Sequence, residues 1–299
     1  MNAIYYTTLP AFKYYFRPKS AREAISLLND YGNEAKILAG GTDLLVLMQN
    51  RTLTTKYIID ISRIPGLNYI EHDNDVLRIG ALATLRALEL SPTIKAGYLS
   101  LYEAAHQMGN TQVRNMGTVV GNICRASPAA DPVLPLLVMG CHVKIVGHTK
   151  SRTVPLDQFF VGPGQTVVGH NEMVTEVKLT KLSPASGTAF FRLTRVASDV
   201  AKVNVASAVT ARNGVCEDVR IALGGVAPTP IRARKAEELL RGSRLDARIL
   251  EQAATTAADE AKPITDNRST EGYRKEVSRV LVRRAIDLAL KRARRSEER

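Results

Sequence analysis

Tryptophan is absent from this 299-residue chain, aromatic residues make up 5% of it, and there are three cysteines. No stretch approaches the ~18 consecutive apolar residues that a membrane-spanning helix needs. The first twenty residues, MNAIYYTTLPAFKYYFRPKS, lack a basic segment followed by an apolar one, so no secretory leader is expected. Cys124, Cys141 and Cys216 stand 17 and 75 residues apart, too few and too irregular for a disulfide framework. They are also too few for an iron–sulfur cluster held by four thiolates, and their spacing does not suit a structural zinc site. His72, His106, His142, His148 and His170 form no short-spaced pair, so a metal site is not expected. The expected protein is globular and cytoplasmic.

What is present is a core-forming composition, 45% hydrophobic and 23% charged, in a length that suits one large domain or two to three small ones. The 41 lysines and arginines exceed the 29 acidic residues by 12, but the excess does not read as a nucleic-acid footprint. The final nine residues, KRARRSEER, hold five basic and two acidic side chains, and the other charges are not interleaved with aromatic stacking platforms. A solvated tail and a basic surface facing an acidic partner are the simpler reading.

Ser20 followed by Glu23 is a capping box that predicts a helix carrying Ala24, Ile25, Leu27, Leu28 and Tyr31, ended by Gly32. A strand at Ala35–Ala39, a Gly40-Gly41-Thr42 turn and a helix over Asp43–Asn50 follow. Strands are expected at Tyr57–Ile61, Leu77–Ala81, Val143–Val146 and Val174–Leu179, and a helix at Leu99–Met108. Asp131-Pro132 reads as a helix start, with Asp131 as the capping acceptor. The Leu182–Gly187 cluster of proline, serine and glycine marks a domain boundary. Beyond it, three strand-like runs (Ala189–Leu193, Lys202–Ala211, Val219–Leu223) precede helices near Arg232–Arg241, Asp246–Ala261 and Thr270–Arg294, an α+β arrangement.

Two segments are richer in glycine and small residues than a core requires. Ile37-Leu38-Ala39-Gly40-Gly41-Thr42-Asp43-Leu44 turns from a strand into a helix, and so presents backbone N–H groups suited to a phosphate. Gly109–Asp131 has few large apolar residues and many Asn, Thr and Ser, which reads as a binding loop. Neither contains GxGxxG, GxxxxGK[ST] or GxSxG.

Together, LAGGTDLL and VRNMGTVVGNICRASPAAD resemble the FAD-binding subunits of the molybdenum hydroxylases, a family that includes carbon monoxide dehydrogenase medium subunits and xanthine dehydrogenase flavin domains. The resemblance continues through DQFFVGPGQT, FFRLTRVASDVAKVNVA and ITDNRSTEGYRKEV, five motifs in family order over nearly the whole chain. It implies an α+β fold: a two-subdomain FAD-binding domain of the vanillyl-alcohol-oxidase (PCMH) type over 1–182, with subdomains of about 1–56 and 57–182. A C-terminal domain over 187–294, with a three-stranded antiparallel sheet plus helices, and a basic tail at 295–299 would follow.

Matched residue by residue, the resemblance puts the FAD pyrophosphate on Ile37, Leu38, Ala39, Gly40, Gly41, Thr42, Asp43 and Leu44 and on Thr118, Val119, Val120, Gly121 and Asn122. It puts Asp131 beside the adenosine, Met108 and Met173 in apolar contact with the cofactor, and Arg192 near the isoalloxazine. It implies no catalytic residue on this chain. Electrons would arrive from two 2Fe–2S clusters on a small subunit, after oxidation of substrate at a molybdenum cofactor on a large one, and leave to an external acceptor. A dimer of such heterotrimers is implied, with neither nucleic acid nor a membrane span.

One departure stands out: the family loop T-I-G-G-N reads Thr118-Val119-Val120-Gly121-Asn122 here. Either position 120 holds ordinary extended backbone with its side chain turned away, which sterics favour, or the pyrophosphate sits differently. The second arrangement opens an alternative, a scaffold subunit that has lost FAD. The family branch carrying an extra cysteine-bound cluster is disfavoured, because no insertion lies between Gly121 and Val154.

Overall fold

The computed structural model describes residues 12–297, with side chains described to residue 295. Of the tail, the last two residues and the side chains of 296 and 297 lie outside that description. The chain begins with β1 (Tyr14–Phe16), α1 (Ala21–Tyr31), β2 (Ala35–Leu38), α2 (Leu44–Gln49) and β3 (Tyr57–Asp60). Ser20 caps α1 by accepting the Glu23 N–H at 3.1 Å, a bond worth ~1 kcal/mol. Glu23 reaches back to the Lys19 N–H, one residue earlier than a capping box requires. The apolar face of α1 buries Ala24, Ile25 and Leu28, and Gly32 at φ +52° ends the helix.

Strand β3 lies between β1 and β2 in a parallel sheet, with Tyr57 opposite both Tyr14 and Ala35. The expected subdomain division at 56/57 therefore moves past residue 60, because β3 is the central strand of the first sheet. Long-range pairing of this kind leaves no local signal.

The second subdomain opens with β4 (Ile70–Asp73), β5 (Val76–Gly80) and five helices: α3 (Leu85–Leu90), α4 (Pro92–Gly97), α5 (Leu99–Gln107), α6 (Thr111–Met116) and α7 (Val119–Arg125). Helix α8 (Val133–Val138), then β6 (His142–Gly147), β7 (Ser151–Pro155), the hairpin β8 (Phe160–Gly162) with β9 (Gln165–Thr166), and β10 (Glu172–Thr180) complete it. A five-stranded antiparallel sheet in the order β4-β5-β10-β6-β7 forms its floor. The stretch read as a binding loop thus holds two short helices, α6 and α7. Asp131 is not a cap either: α8 begins behind Pro132 with no side-chain cap.

After the Leu182–Gly187 break come β11 (Ser186–Leu193), β12 (Val203–Arg212), β13 (Val215–Gly224) and β14 (Ile231–Arg232), then α9 (Arg234–Leu240), α10 (Ala247–Glu260) and α11 (Glu271–Glu297). The three expected strands gain a two-residue fourth, in the sheet order β11-β12-β13-β14. Because side chains alternate along a strand, this sheet has two buried faces. Ala189, Val203, Val205, Val209, Val219 and Ile221 pack under α11 and α9, on which α10 packs in turn. Phe190, Ala206, Ala208 and Ala222 face the other way and join the core of the first 180 residues. Arg192 and Asn204 fall on this second face by the same alternation, and that places them at the junction between the two halves.

Candidate functional site

The two glycine-bearing segments touch. Gly40 lies against the backbone of Met116 and Gly117: a β-carbon there would overlap the Met116 carbonyl oxygen and come within 2.6 Å of its carbon. Gly41 follows at φ +73°, a conformation that disfavours any side chain. The turn continues through Thr42, whose hydroxyl would sit 3.3 Å from a β-carbon on Gly117, and Asp43, whose carboxylate lies 3.5 Å from Arg125 Nε. Ile37 and Leu38 are strand residues of β2, Ala39 leads into the turn, and Leu44 opens α2.

The second segment is tied down on its other side. Gly117 accepts the Leu85 N–H at 2.9 Å, and Val119 donates to the Ala83 carbonyl at 3.0 Å. Thr118 caps α7 by accepting the Gly121 N–H at 3.0 Å. With six residues in α2 and seven in α7, the helix dipoles are weak, so these turns offer an anion their backbone N–H groups and little more. Val120 is neither extended nor beside an open bend. It is helical, 3% exposed, and packed in the core with Val119 and Ile123.

Asn122 is buried, and its Oδ1 has no hydrogen-bond partner, while its Nδ2 lies 4.0 Å from the sulfur of Met108. A buried amide oxygen left without a donor is costly unless a ligand or water supplies one. Side-chain-free backbone at Gly40 and Gly41 and contact with the second bend suit a diphosphate, and the Asn122 acceptor suits a hydroxyl or N–H elsewhere on a cofactor such as FAD. Met173 lies in β10, opposite Val146 and 2% exposed, in the core against which α7 packs.

Arg192 and Asp131, which the resemblance puts near different parts of FAD, pair directly with each other. The Arg192 guanidinium, 4% exposed, donates to Asp131 Oδ2 at 2.8 Å, to the Gln107 carbonyl at 2.6 Å, and to the Asp199 carbonyl. Asn204, directly opposite Arg192 in the β11–β12 register, donates to the other Asp131 oxygen at 2.7 Å and to the Ala129 carbonyl at 3.2 Å. Burial pushes the Asp131 carboxyl up to about 6, although Arg192 and Asn204 both favour its charged form. Arg192 has three of its five N–H donors engaged in this way, one of them with the Asp131 carboxylate. It ties the C-terminal sheet to both ends of the Gly109–Asp131 segment.

Two further residues hold that segment and carry no sequence signal beyond their type. Arg114, 8% exposed, donates to Glu89 and to the carbonyls of Met108 and Gly109. Burial alone would raise the Glu89 carboxyl, but Arg86, His106 and Arg114 converge on it and hold it at about 2.

Residues 10–181 match the family model for the FAD binding domain in molybdopterin dehydrogenase, and residues 188–289 match that for the CO dehydrogenase flavoprotein C-terminal domain. The chain belongs to the FAD-binding subunits of the molybdenum hydroxylases. It is 33% identical over 280 residues to a carbon monoxide dehydrogenase medium chain of Hydrogenophaga pseudoflava, covering 94% of this chain and 97% of that one. A putative xanthine dehydrogenase FAD-binding subunit of Escherichia coli is 30% identical, over 93% and 96% of the two chains. The solved structure of the Hydrogenophaga pseudoflava carbon monoxide dehydrogenase superposes with a TM-score of 0.93 at 34% identity, covering 95% of this chain and 99% of that chain. This family member is therefore an oxidoreductase component with the expected α+β fold: a two-part FAD-binding domain and a C-terminal flavoprotein domain. Among its described residues, no helix is long and apolar enough to cross a membrane.

Proposed function

We propose that this chain is the FAD-carrying electron-transfer subunit of a multi-subunit molybdenum hydroxylase. A small subunit with 2Fe–2S clusters would deliver electrons that a large subunit withdraws from substrate at a molybdenum cofactor, and an external acceptor would collect them. Bound FAD supplies the step between one-electron and two-electron chemistry. The observation that carries this reading is the packing of the Gly40–Gly41 bend directly on Met116–Gly117, which brings two distant glycine-bearing segments together.

The chain's own residues hold and orient. Backbone N–H groups of the two turns would hold the diphosphate, the Asn122 acceptor would take a hydroxyl or N–H of the cofactor, and Met108 would supply apolar contact. Arg192, Asn204 and Arg114 keep the second segment in register with the first. The cofactor-free scaffold alternative rested on Val120, which lies in the α7 core. A dimer of heterotrimers in the cytoplasm, without nucleic acid, completes the proposal, in keeping with three free thiols.

The test is to purify the chain with its partners, denature the complex, and quantify released flavin together with molybdenum and iron. About one FAD per chain, with both metals, is the expected result. A complex with metals and no flavin would return the scaffold reading.

A further inference from the structure

The two glycine bends, residues 37–44 and 117–122, contain a single charged side chain, and it is a carboxylate, Asp43. Asp43 stands at the N-cap position of α2, where its side chain makes no capping hydrogen bond. A diphosphate bound against this bend would meet a further negative charge beside its own. The bends answer with backbone N–H groups alone, so any offsetting charge has to come from a neighbouring side chain.

Arg125 reaches that bend. It is the last residue of α7, and helical side chains lean towards the N-terminus of their own helix. Its Nε lies 3.5 Å from Asp43 Oδ1. Behind it Ala126 turns the chain at φ +49°, and the Ala126 carbonyl accepts the Gly164 N–H at 3.0 Å. This bond brings the β8–β9 hairpin against the guanidinium: a β-carbon on Gly164 would stand 3.3 Å from Arg125 Nη1. Arg125 thus touches both the first bend and the hairpin from the end of α7.

The donors of this guanidinium are unspent. Its contact with Asp43 is an ion pair and not a hydrogen bond, and its buried Nε has no hydrogen-bond partner. Among the described residues, Arg125 donates no side-chain hydrogen bond, whereas Arg114 and Arg192 are bound to carboxylates and carbonyls. The Arg125 and Asp43 side chains are 35% and 53% exposed, and an ion pair that open to water is weak and readily exchanged. A guanidinium fork matches phosphate oxygens two at a time.

From this arrangement we infer that Arg125 is a cofactor-binding residue, which offsets Asp43 and lends its free donors to the diphosphate. The inference rests on the proposed FAD-carrying function. It gives the first bend the positive charge that its own residues lack.

The test is a titration of FAD into the complex of the full chain with its partners, after removal of bound flavin. Affinity is read from the flavin fluorescence at low and at high salt. Loss of a charged hydrogen bond predicts roughly tenfold weaker binding in Arg125→Gln at low salt. That gap narrows as salt screens the charge. Arg125→Lys keeps the charge without the fork and falls between the two. Asp43→Asn in the Arg125→Gln background recovers part of the loss, and all variants keep the wild-type melting temperature. Equal affinity in wild type and Arg125→Gln overturns the inference, and so does a loss that neither salt nor Asp43→Asn moves. A wild-type complex that takes up no FAD would instead remove the proposed function itself.

Discussion

At Gly40 the chain runs directly against the backbone of Met116, whereas at Gly121 the nearest obstacle to a side chain is the Thr118 hydroxyl, 2.7 Å from where a β-carbon would lie. The two bends carry similar glycines in sequence, but the obstacles differ in kind. A carbonyl pinned by its own chain cannot retreat, while a hydroxyl can rotate. The contact between the bends at Gly40 is thus the rigid part of the arrangement, and the turn at Gly121 the adjustable part. The second bend is held in place by residues from elsewhere in the chain: Arg192, Asn204 and, through Arg114, Glu89.

That contrast breaks most readily at Gly40. Gly40→Ala is expected to cost more than about 3 kcal/mol and to abolish flavin retention, as overlap with backbone is relieved only by parting the two segments. Gly121→Ala should stay within ~1 kcal/mol of wild type, because the helix propensity gained offsets the strain on Thr118. Urea denaturation and released-flavin absorbance measure both. Equal losses at the two positions would erase the distinction between rigid and adjustable parts.

Val120 sharpens the comparison. Had it blocked the cofactor, Val120→Gly would improve flavin retention. In the core of α7 the same change removes buried methyl groups and puts glycine inside a helix, so a loss of about 2–3 kcal/mol with no gain in flavin is expected. A flavin content that rises in this variant would contradict the packing.

The last effect concerns acid. The Glu89 carboxyl is held at about 2, below its ordinary 4.5, by the cations around it. A depressed carboxyl stabilises the fold above its ordinary value, and that stabilisation fades as pH falls from about 4.5 to about 2. Glu89→Gln should therefore flatten the acid limb of the stability profile over that window. The tie on Met108 and Gly109 through Arg114 should loosen with it, read as earlier flavin release on acidification. Identical acid limbs in the two proteins would remove Glu89 from the anchoring of the second bend.

Where the controlling interactions lie within a few residues, sequence and structure agree. The Ser20 cap, the Gly32 stop, the glycine turn after β2 and the long strands of the C-terminal sheet follow from cap chemistry and periodicity. Asp131 shows the limit of local reading. The Asp-Pro pair suits a helix start, yet its carboxylate is taken by Arg192 and Asn204, residues 61 and 73 positions away. Val120 failed for a related reason: Gly109–Asp131 lacks strong periodicity because its helices are one or two turns long and packed on several sides.

By itself the sequence determined which segments bend, which alternate, and which motifs follow one another, since these depend on backbone freedom and neighbouring side chains. Tertiary structure alone decided that β3 completes the first sheet, that Gly40 packs directly on Met116, and that Arg192 binds a carboxylate of the other half. Those outcomes depend on which surfaces meet when a sheet with two apolar faces is buried on both sides, and no local pattern encodes that meeting.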